Sequence, residues 1–495
     1  MAVALAGVLT LAGFSWAVSG VLAQLVSGGG PSTAVTYIVS ALVALGALIF
    51  IHELGHFLVA KASGVGVERF SLGFGPRLWS MRRGETEYCI SIVPLGGYVK
   101  MVGEEAHGEE AIHPATDVPR EVRTDPRKSF ALKPLWVRAL IVFAGPGMNF
   151  VLAAVIFSFI FAAVGVPVFP TTVGRVLPES AAAQAGLQPG DDILAVDDRP
   201  VRHWGQIEER VARSEGRPLA LTVSRDGVRR AMTVTPRRVP ARTPFGEPTE
   251  VWSLGTGPYF PPVVGEVQPG MPAAEAGLQP RDRIVALDGR PVGTWDELAE
   301  TISKMPGRPV ALTIERSGQR LETSVTPRAV TERDPLGNET QVGRIGIARA
   351  SSQTFLRSDP ITALGQGIQR TWDVTALTVV SIWKLVTGTI PASNIGGPLQ
   401  ISMAAGQQAQ QGLVAYAFFV ALISVNLAIL NLLPVPMLDG GHLLFFAIEG
   451  VQGRPLSVRK RELAQQIGLA LLMLLMVFAL FNDLSRLLPV SKLFK

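Results

Sequence analysis

The strongest constraint on this chain is a membrane-length apolar run that contains Ile51-His52-Glu53-Leu54-Gly55-His56, with no Asp, Glu, Lys or Arg anywhere before Glu53. About 20 apolar residues suffice to cross the hydrocarbon core as a helix. Ionisable groups inside such a segment are expensive and are usually there for function. On a helix, residues i and i+4 share a face, so His52 and His56 can offer two imidazoles to one divalent ion, with Glu53 beside them to handle a proton. A lone histidine on an apolar helix is more often a satisfied core residue. A pair bracketing an acid is not comparable, and its setting points to zinc-dependent hydrolysis of a peptide bond in the bilayer.

Composition narrows the alternatives. At 495 residues the chain is too long for one ordinary domain. The net charge of +5 is modest, and no basic stripe is interleaved with aromatics, which argues against a nucleic-acid partner. The single cysteine, Cys89, excludes an intrachain disulfide framework and a cysteine-based zinc site. Any zinc must therefore be held by histidine and carboxylate.

Four runs are long and apolar enough to span: Val35–Ala60, Ala139–Val164, Val414–Leu433 and Ile467–Leu487. The connection from Lys61 to Arg138 is rich in Lys and Arg, and Arg454, Arg459, Lys460 and Arg461 precede the last run. Both basic segments are expected on the cytoplasmic side, and the long segment between the second and third runs on the opposite side. Two stretches resist the count. Ala2–Val26 is apolar and reads as a fifth span, a signal peptide without a basic n-region, or an upstream extension. Val374–Ile390 includes Trp383 and Lys384 and fits an interfacial helix better than a crossing.

The long middle segment contains a duplication. Val173-Gly-Arg-Val176 corresponds to Val264-Gly-Glu-Val267, Ala185-Gly-Leu-Gln-Pro189 to Ala276-Gly-Leu-Gln-Pro280, and Trp204 to Trp295, all without a gap. Alternating stretches such as Leu219–Ser224 and Val310–Glu315 read as strands, and Trp204–Ser214 and Trp295–Lys304 as amphipathic helices. AGLQPGD, ending at Asp191, resembles the bacterial type of PDZ domain; the second copy has Arg281 where the first has Gly190. That resemblance implies binding of extended peptides or C-termini by strand addition. The plainer reading is that the two domains occlude the membrane site, and the two roles are compatible.

Two histidines do not complete a catalytic zinc site, which usually has three protein ligands. The best third donor is Asp439, in Asn431-Leu-Leu-Pro434-Val-Pro436-Met-Leu-Asp439-Gly440-Gly441-His442 at the end of the third run. Pro434, Pro436 and the glycine pair break regular helix, which at membrane depth is tolerated only where protein or a water-filled cavity covers it. The bland alternative is that Asp439 only begins a cytoplasmic turn. His442 is the competing ligand.

HExxH in the first run together with NxxPxPxLDGG in the third resembles the site-2 protease family of intramembrane metalloproteases. The resemblance implies a polytopic α-helical membrane protein with about four core transmembrane helices and two inserted, mainly β PDZ domains. Expected boundaries are 1–33 for the N-terminal apolar extension, 34–168 and 360–495 for the two halves of the membrane core, and 171–240 and 260–335 for the PDZ domains. It further implies Zn²⁺ held by His52, His56 and Asp439, with Glu53 as catalytic base and Asn431, Pro434 and Pro436 positioning substrate. The block Ser91–Met101 resembles the family's re-entrant β-element, which makes Gly96, Gly97 and Tyr98 substrate-contacting positions. Phe143-Ala-Gly-Pro-Gly-Met-Asn149 in the second run is also family-like. The implied partner is a pre-cleaved single-span membrane protein resembling an anti-sigma factor. The implied location is the bacterial inner membrane, with the PDZ domains on the periplasmic side. Two other functions are open: a membrane-anchored PDZ scaffold with a relict metal site, and a zinc transporter, which would need polar residues along several spans.

Overall fold

A computed structural model describes residues 31–104, 125–333 and 339–487. The stretch Ala2–Val26 lies outside the described residues. The chain divides into two compact units, Met1–Val164 with Arg357–Lys495, and Gly165–Leu356.

In the first unit, helix α1 (Pro31–Ala62) leads into two long strands, β1 (Val67–Arg83) and β2 (Thr86–Met101). Helix α2 (Leu135–Ala163) follows, and after the second unit come α3 (Pro360–Val386), α4 (Pro398–Gln410), α5 (Leu413–Asn431), α6 (Asp439–Gln452) and α7 (Val458–Leu487). Among the described residues, four helices are long and apolar enough to cross a membrane: Val35–Ala62, Leu135–Ala163, Leu413–Asn431 and Val458–Arg486. Their outward faces leave large apolar side chains bare, among them Phe159 at 71% and Leu474 at 67% exposure. Such surfaces are costly in water and neutral in lipid. In lipid, helix association rests on close approach and polar contacts rather than on apolar burial. Here the Tyr416 hydroxyl donates to the Ser40 carbonyl at 2.6 Å, tying α5 to α1. Ser424 donates to the Asn149 carbonyl at 2.8 Å, tying α5 to α2.

Helix α3 differs from the expected interfacial segment in where it starts. Asp359 caps it by accepting from the backbone N–H groups of Ile361 and Thr362, and Pro360 occupies the first turn. The helix therefore runs from Pro360 through the apolar stretch, burying Ala363, Gly367, Thr371 and Val374. Its other face leaves Trp372 and Trp383 exposed.

The strand pair folds back on itself. Phe70 pairs with Val99 on one side and Tyr88 on the other, Leu72 with Gly97 and Ile90, and Trp79 with Ile90. Gly73 and Gly75, both at positive φ, supply the bend within β1. The result is a four-segment sheet ordered 97–101, 67–72, 87–91 and 77–83, in which residues 97–101 form an outer strand beside 67–72. Among the described residues no other strand pairs with its far side.

The second unit holds two copies of one fold. Each element of the second copy starts 91 residues after its counterpart, from Val173 and Val264 through Thr256 and Ile347. Each copy has a four-stranded antiparallel sheet: Leu219 pairs with Val234 in the first and Val310 with Val325 in the second. Each sheet packs its own apolar core, around Ile193, Ile207 and Leu221 or around Ile284, Leu298 and Leu312. The copies extend past the expected ends at 240 and 335. In each, a late strand returns to pair with the first: Thr256–Pro258 with Val173–Val176, and Ile347–Arg349 with Val264–Val267. These short strands carry no alternation that sequence could reveal.

Candidate metal centre

Helical spacing alone brings His52 and His56 together, with Nε2 atoms 3.2 Å apart. Their orientation comes from α2. His56 Nδ1 lies 2.8 Å from the Ile141 carbonyl oxygen. A carbonyl only accepts, so this nitrogen carries the hydrogen and Nε2 keeps its lone pair for a ligand. Close approach of the helices depends on two glycines. A Cβ at Gly55 would stand 2.2 Å from the Ala144 carbonyl oxygen, and one at Gly145 would stand 2.2 Å from His56 Nε2.

The third donor arrives from far along the chain. After α5 ends at Asn431, Pro434 and Pro436 shape a tight connection, and Asp439 opens α6. Close packing at Gly440 and Gly441 against the carbonyls of Leu432, Leu433 and Val435 seats that turn. Asp439 Oδ2 lies 3.0 Å from His52 Nε2 and Oδ1 lies 3.6 Å from His56 Nε2. These three residues are the one group of metal-ligand type found among the described residues, with donor atoms within 4.8 Å of one another.

The donor set fits a zinc ion. Two neutral imidazoles and one carboxylate are a usual catalytic set that leaves a coordination position open. Glu53 supplies a second negative charge beside the cluster, so a divalent cation would balance the two carboxylates in a site of low dielectric.

A cleft of about 850 Å³ opens over these groups, lined among others by His52, Glu53, His56, Gly97, Tyr98, Asn431, Asp439 and His442. The outer strand at residues 97–101 forms one wall: a Cβ at Gly97 would stand 3.0 Å from Glu53 Cγ. The Asn431 amide lies 3.5 Å from His52 Nε2. Gly96, Pro434 and Pro436 do not line the cleft. Gly96, at φ +154°, lies against the Phe74 ring, and the prolines act on the path of the backbone. His442 lines the cleft but stands outside the three-donor group. Sequence reasoning did not single out Asn149 as a site residue, although its amide lies 3.3 Å from His52 Nδ1. Its spacing from Ile141 and Gly145, one helical face, was the available signal.

The sequence profile described as Peptidase family M50 matches residues 40–475. A Salmonella typhimurium protein named regulator of sigma-E protease RseP is 40% identical over 454 residues, covering 90% of this chain and 98% of that protein. The Escherichia coli protein of the same name is 40% identical over 463 residues, with the same coverage of both chains. A Neisseria meningitidis protein proposed to be a zinc metalloprotease is 37% identical over 452 residues, covering 89% of this chain and 97% of its own. Among solved structures, the PDZ domain of an SdrC-like protein from Listeria monocytogenes is 22% identical, covering 19% of this chain and 90% of that domain, with a TM-score of 0.15.

Proposed function

The chain belongs to Peptidase family M50 and is a metalloprotease, and on that premise we propose that it hydrolyses a peptide bond inside the transmembrane segment of a pre-cleaved single-span protein. The convergence of His52, His56 and Asp439 beside Glu53, on helices of membrane-spanning length, is the observation that carries this reading. His52 and His56 through Nε2, and Asp439 through its carboxylate, would hold Zn²⁺. When bound, zinc polarises the scissile carbonyl and acidifies water at the site.

The remaining chemistry belongs to the chain. Glu53 accepts a proton from the attacking water and returns it to the leaving amine, so the two halves of the peptide part as a carboxylic acid and an amine. A substrate helix hides its carbonyls in i→i+4 bonds and must unwind before attack. The outer strand at residues 97–101 offers backbone groups to the unwound segment, with Gly97 keeping the wall beside Glu53 thin. Asn431, within reach of the His52 imidazole, offers an amide N–H to the substrate. The relatives named for sigma-E regulation support a substrate of the anti-sigma-factor kind, cut in the bacterial inner membrane. The duplicated strand-rich copies act as two PDZ domains on the periplasmic side, where they select substrates.

Purified protein in detergent should cut a transmembrane reporter peptide. Chelator should stop the reaction, and Glu53→Gln should lower kcat by at least about 10³-fold, on the order of 4 kcal/mol in the barrier. Cleavage that continues unchanged in Glu53→Gln sinks the proposal.

A further inference from the structure

Resting on the zinc reading above, we propose that Asn149 is a positioning residue that fixes His52 for the metal by accepting the hydrogen of its Nδ1. Ile141, Gly145 and Asn149 then form one face of α2 that presents both imidazoles. The three residues are spaced i, i+4 and i+8, so they lie one above another on the helix. The Ile141 carbonyl holds His56 through Nδ1. Gly145 leaves the room in which the Nε2 atoms of both histidines sit, since a Cβ there would meet His56 Nε2 at 2.2 Å and His52 Nε2 at 2.9 Å. The Asn149 carboxamide, with Nδ2 as placed 3.3 Å from His52 Nδ1, takes the place at His52 that the Ile141 carbonyl takes at His56.

The amide is held firmly enough for this work. Asn149 is fully buried, and Ser424 of α5 donates to its backbone carbonyl at 2.8 Å. The far end of its carboxamide, Oδ1 as placed, has no hydrogen-bond partner among the described residues. The contact to His52 is thus its one polar anchor, and the imidazole decides which way the amide turns. A neutral imidazole offering Nε2 to a metal carries its hydrogen on Nδ1 and requires an acceptor there. The two ends of a carboxamide have nearly the same shape and exchange by a half turn. Metal ligation therefore sets the oxygen end against His52. The opposite orientation would leave the imidazole hydrogen on Nε2, pointing into the space the ion needs.

The test separates acceptor from shape and is read on metal affinity. Full-length protein in detergent is titrated with zinc against a chromophoric chelator, with the melting temperature of the stripped protein followed alongside. Asn149→Leu, similar in size but without an acceptor, should weaken zinc binding about 10–100-fold, the usual effect of losing a partner of a metal-bound histidine. Asn149→Asp, which only accepts when ionised, should hold zinc within about threefold of wild type. An Asp variant weakened as much as the Leu variant overturns the proposal, because His52 would then need a donor. Wild-type affinity in Asn149→Leu overturns it equally. Should Asn149→Leu fail to fold, the Asp variant against wild type still decides. Wild-type protein that takes up no zinc defeats the metal reading itself and this proposal with it, a result distinct from a loaded wild type beside a weak Asp variant.

Discussion

Three buried or half-buried carboxylates divide this molecule into two kinds of region. In the repeated unit, Asp191 and Asp282 are each 1% exposed. Asp191 receives Arg225 through two nitrogens, at 2.6 and 2.8 Å, and the Gln188 N–H at 2.9 Å. Asp282 receives Arg316 twice at 2.7 Å and the Gln279 N–H at 2.8 Å. Burial works to raise both carboxyls, but the paired guanidinium and the backbone N–H outweigh it and hold them below the usual carboxylate value. In the membrane unit, Asp439 faces His52 and His56 instead, and among the described residues no Lys or Arg pairs with it. Depth of burial does not separate structural from functional carboxylates here. The partner does: Arg225 and Arg316 complete the fold around Asp191 and Asp282, whereas Asp439 faces two imidazoles.

The sharpest way to break this contrast is to remove each carboxylate and read both activity and stability. Asp439→Ala should lose zinc and lower proteolysis by at least about 10³-fold, with little change in the melting of the protein, since no fixed cation is left stranded. If instead Asp439→Ala unfolds the membrane unit while keeping zinc, the carboxylate is structural and the comparison fails.

Asp191→Asn should do the reverse at a smaller scale. Breaking a buried pair costs about 3–5 kcal/mol. Arg225 remains partly exposed and can be rehydrated, so a loss of about 2–3 kcal/mol is expected in the first copy. Hydrogen exchange at the strand Leu219–Arg225 in the full chain measures it. The same pair sets a pH dependence. The folded carboxyl lies below its unfolded value of about 3.9. Its contribution is therefore fully present above the unfolded value and is lost as pH falls through the folded one. Protection in the first copy should weaken on acidification below about pH 4 and do so less in Asp191→Asn; equal acid sensitivity in the two proteins would count against the pairing as its source.

Much of this division was legible before any coordinates. HExxH fixes its own geometry through helical spacing, and the gapless duplication fixes the second copy once the first is known. Asp439 was reachable because the two prolines and the glycine pair announce irregular backbone at membrane depth. What escaped depends on contacts between residues distant in sequence. The double pairing of 67–72 gives no local pattern, because its two neighbours come from opposite ends of β2. The return strands at Thr256–Pro258 and Ile347–Arg349 are too short to show alternation. Gly145 and Asn149 stand in a family-like block of the second run, but their contact with His52 and His56 appears only when α1 is laid against them. Helix α4 carries few of the apolar positions that would mark it, with Ala405 and Gly406 as its buried residues.

The finest test of the comparison lies between the two copies themselves. At the tip of the AGLQP turn the first copy has Gly190 at φ +91° and the second has Arg281 at φ +75°. A side chain in the left-handed region costs roughly 1–2 kcal/mol, and Arg281→Gly would relieve that strain. The same change loosens the unfolded chain and costs about 0.4–1 kcal/mol in entropy. The two effects oppose each other, so the second copy should gain between about 0 and about 1.6 kcal/mol, read from hydrogen exchange at the strand Val310–Arg316. The turn leads straight into Asp282, whose carboxylate accepts the Gln279 N–H across it. That carboxylate and Arg316, rather than the residue at the tip, hold the loop closed. A loss above about 1 kcal/mol in Arg281→Gly would show that the arginine side chain itself contributes to the turn, and the two copies would then differ in how they are held together.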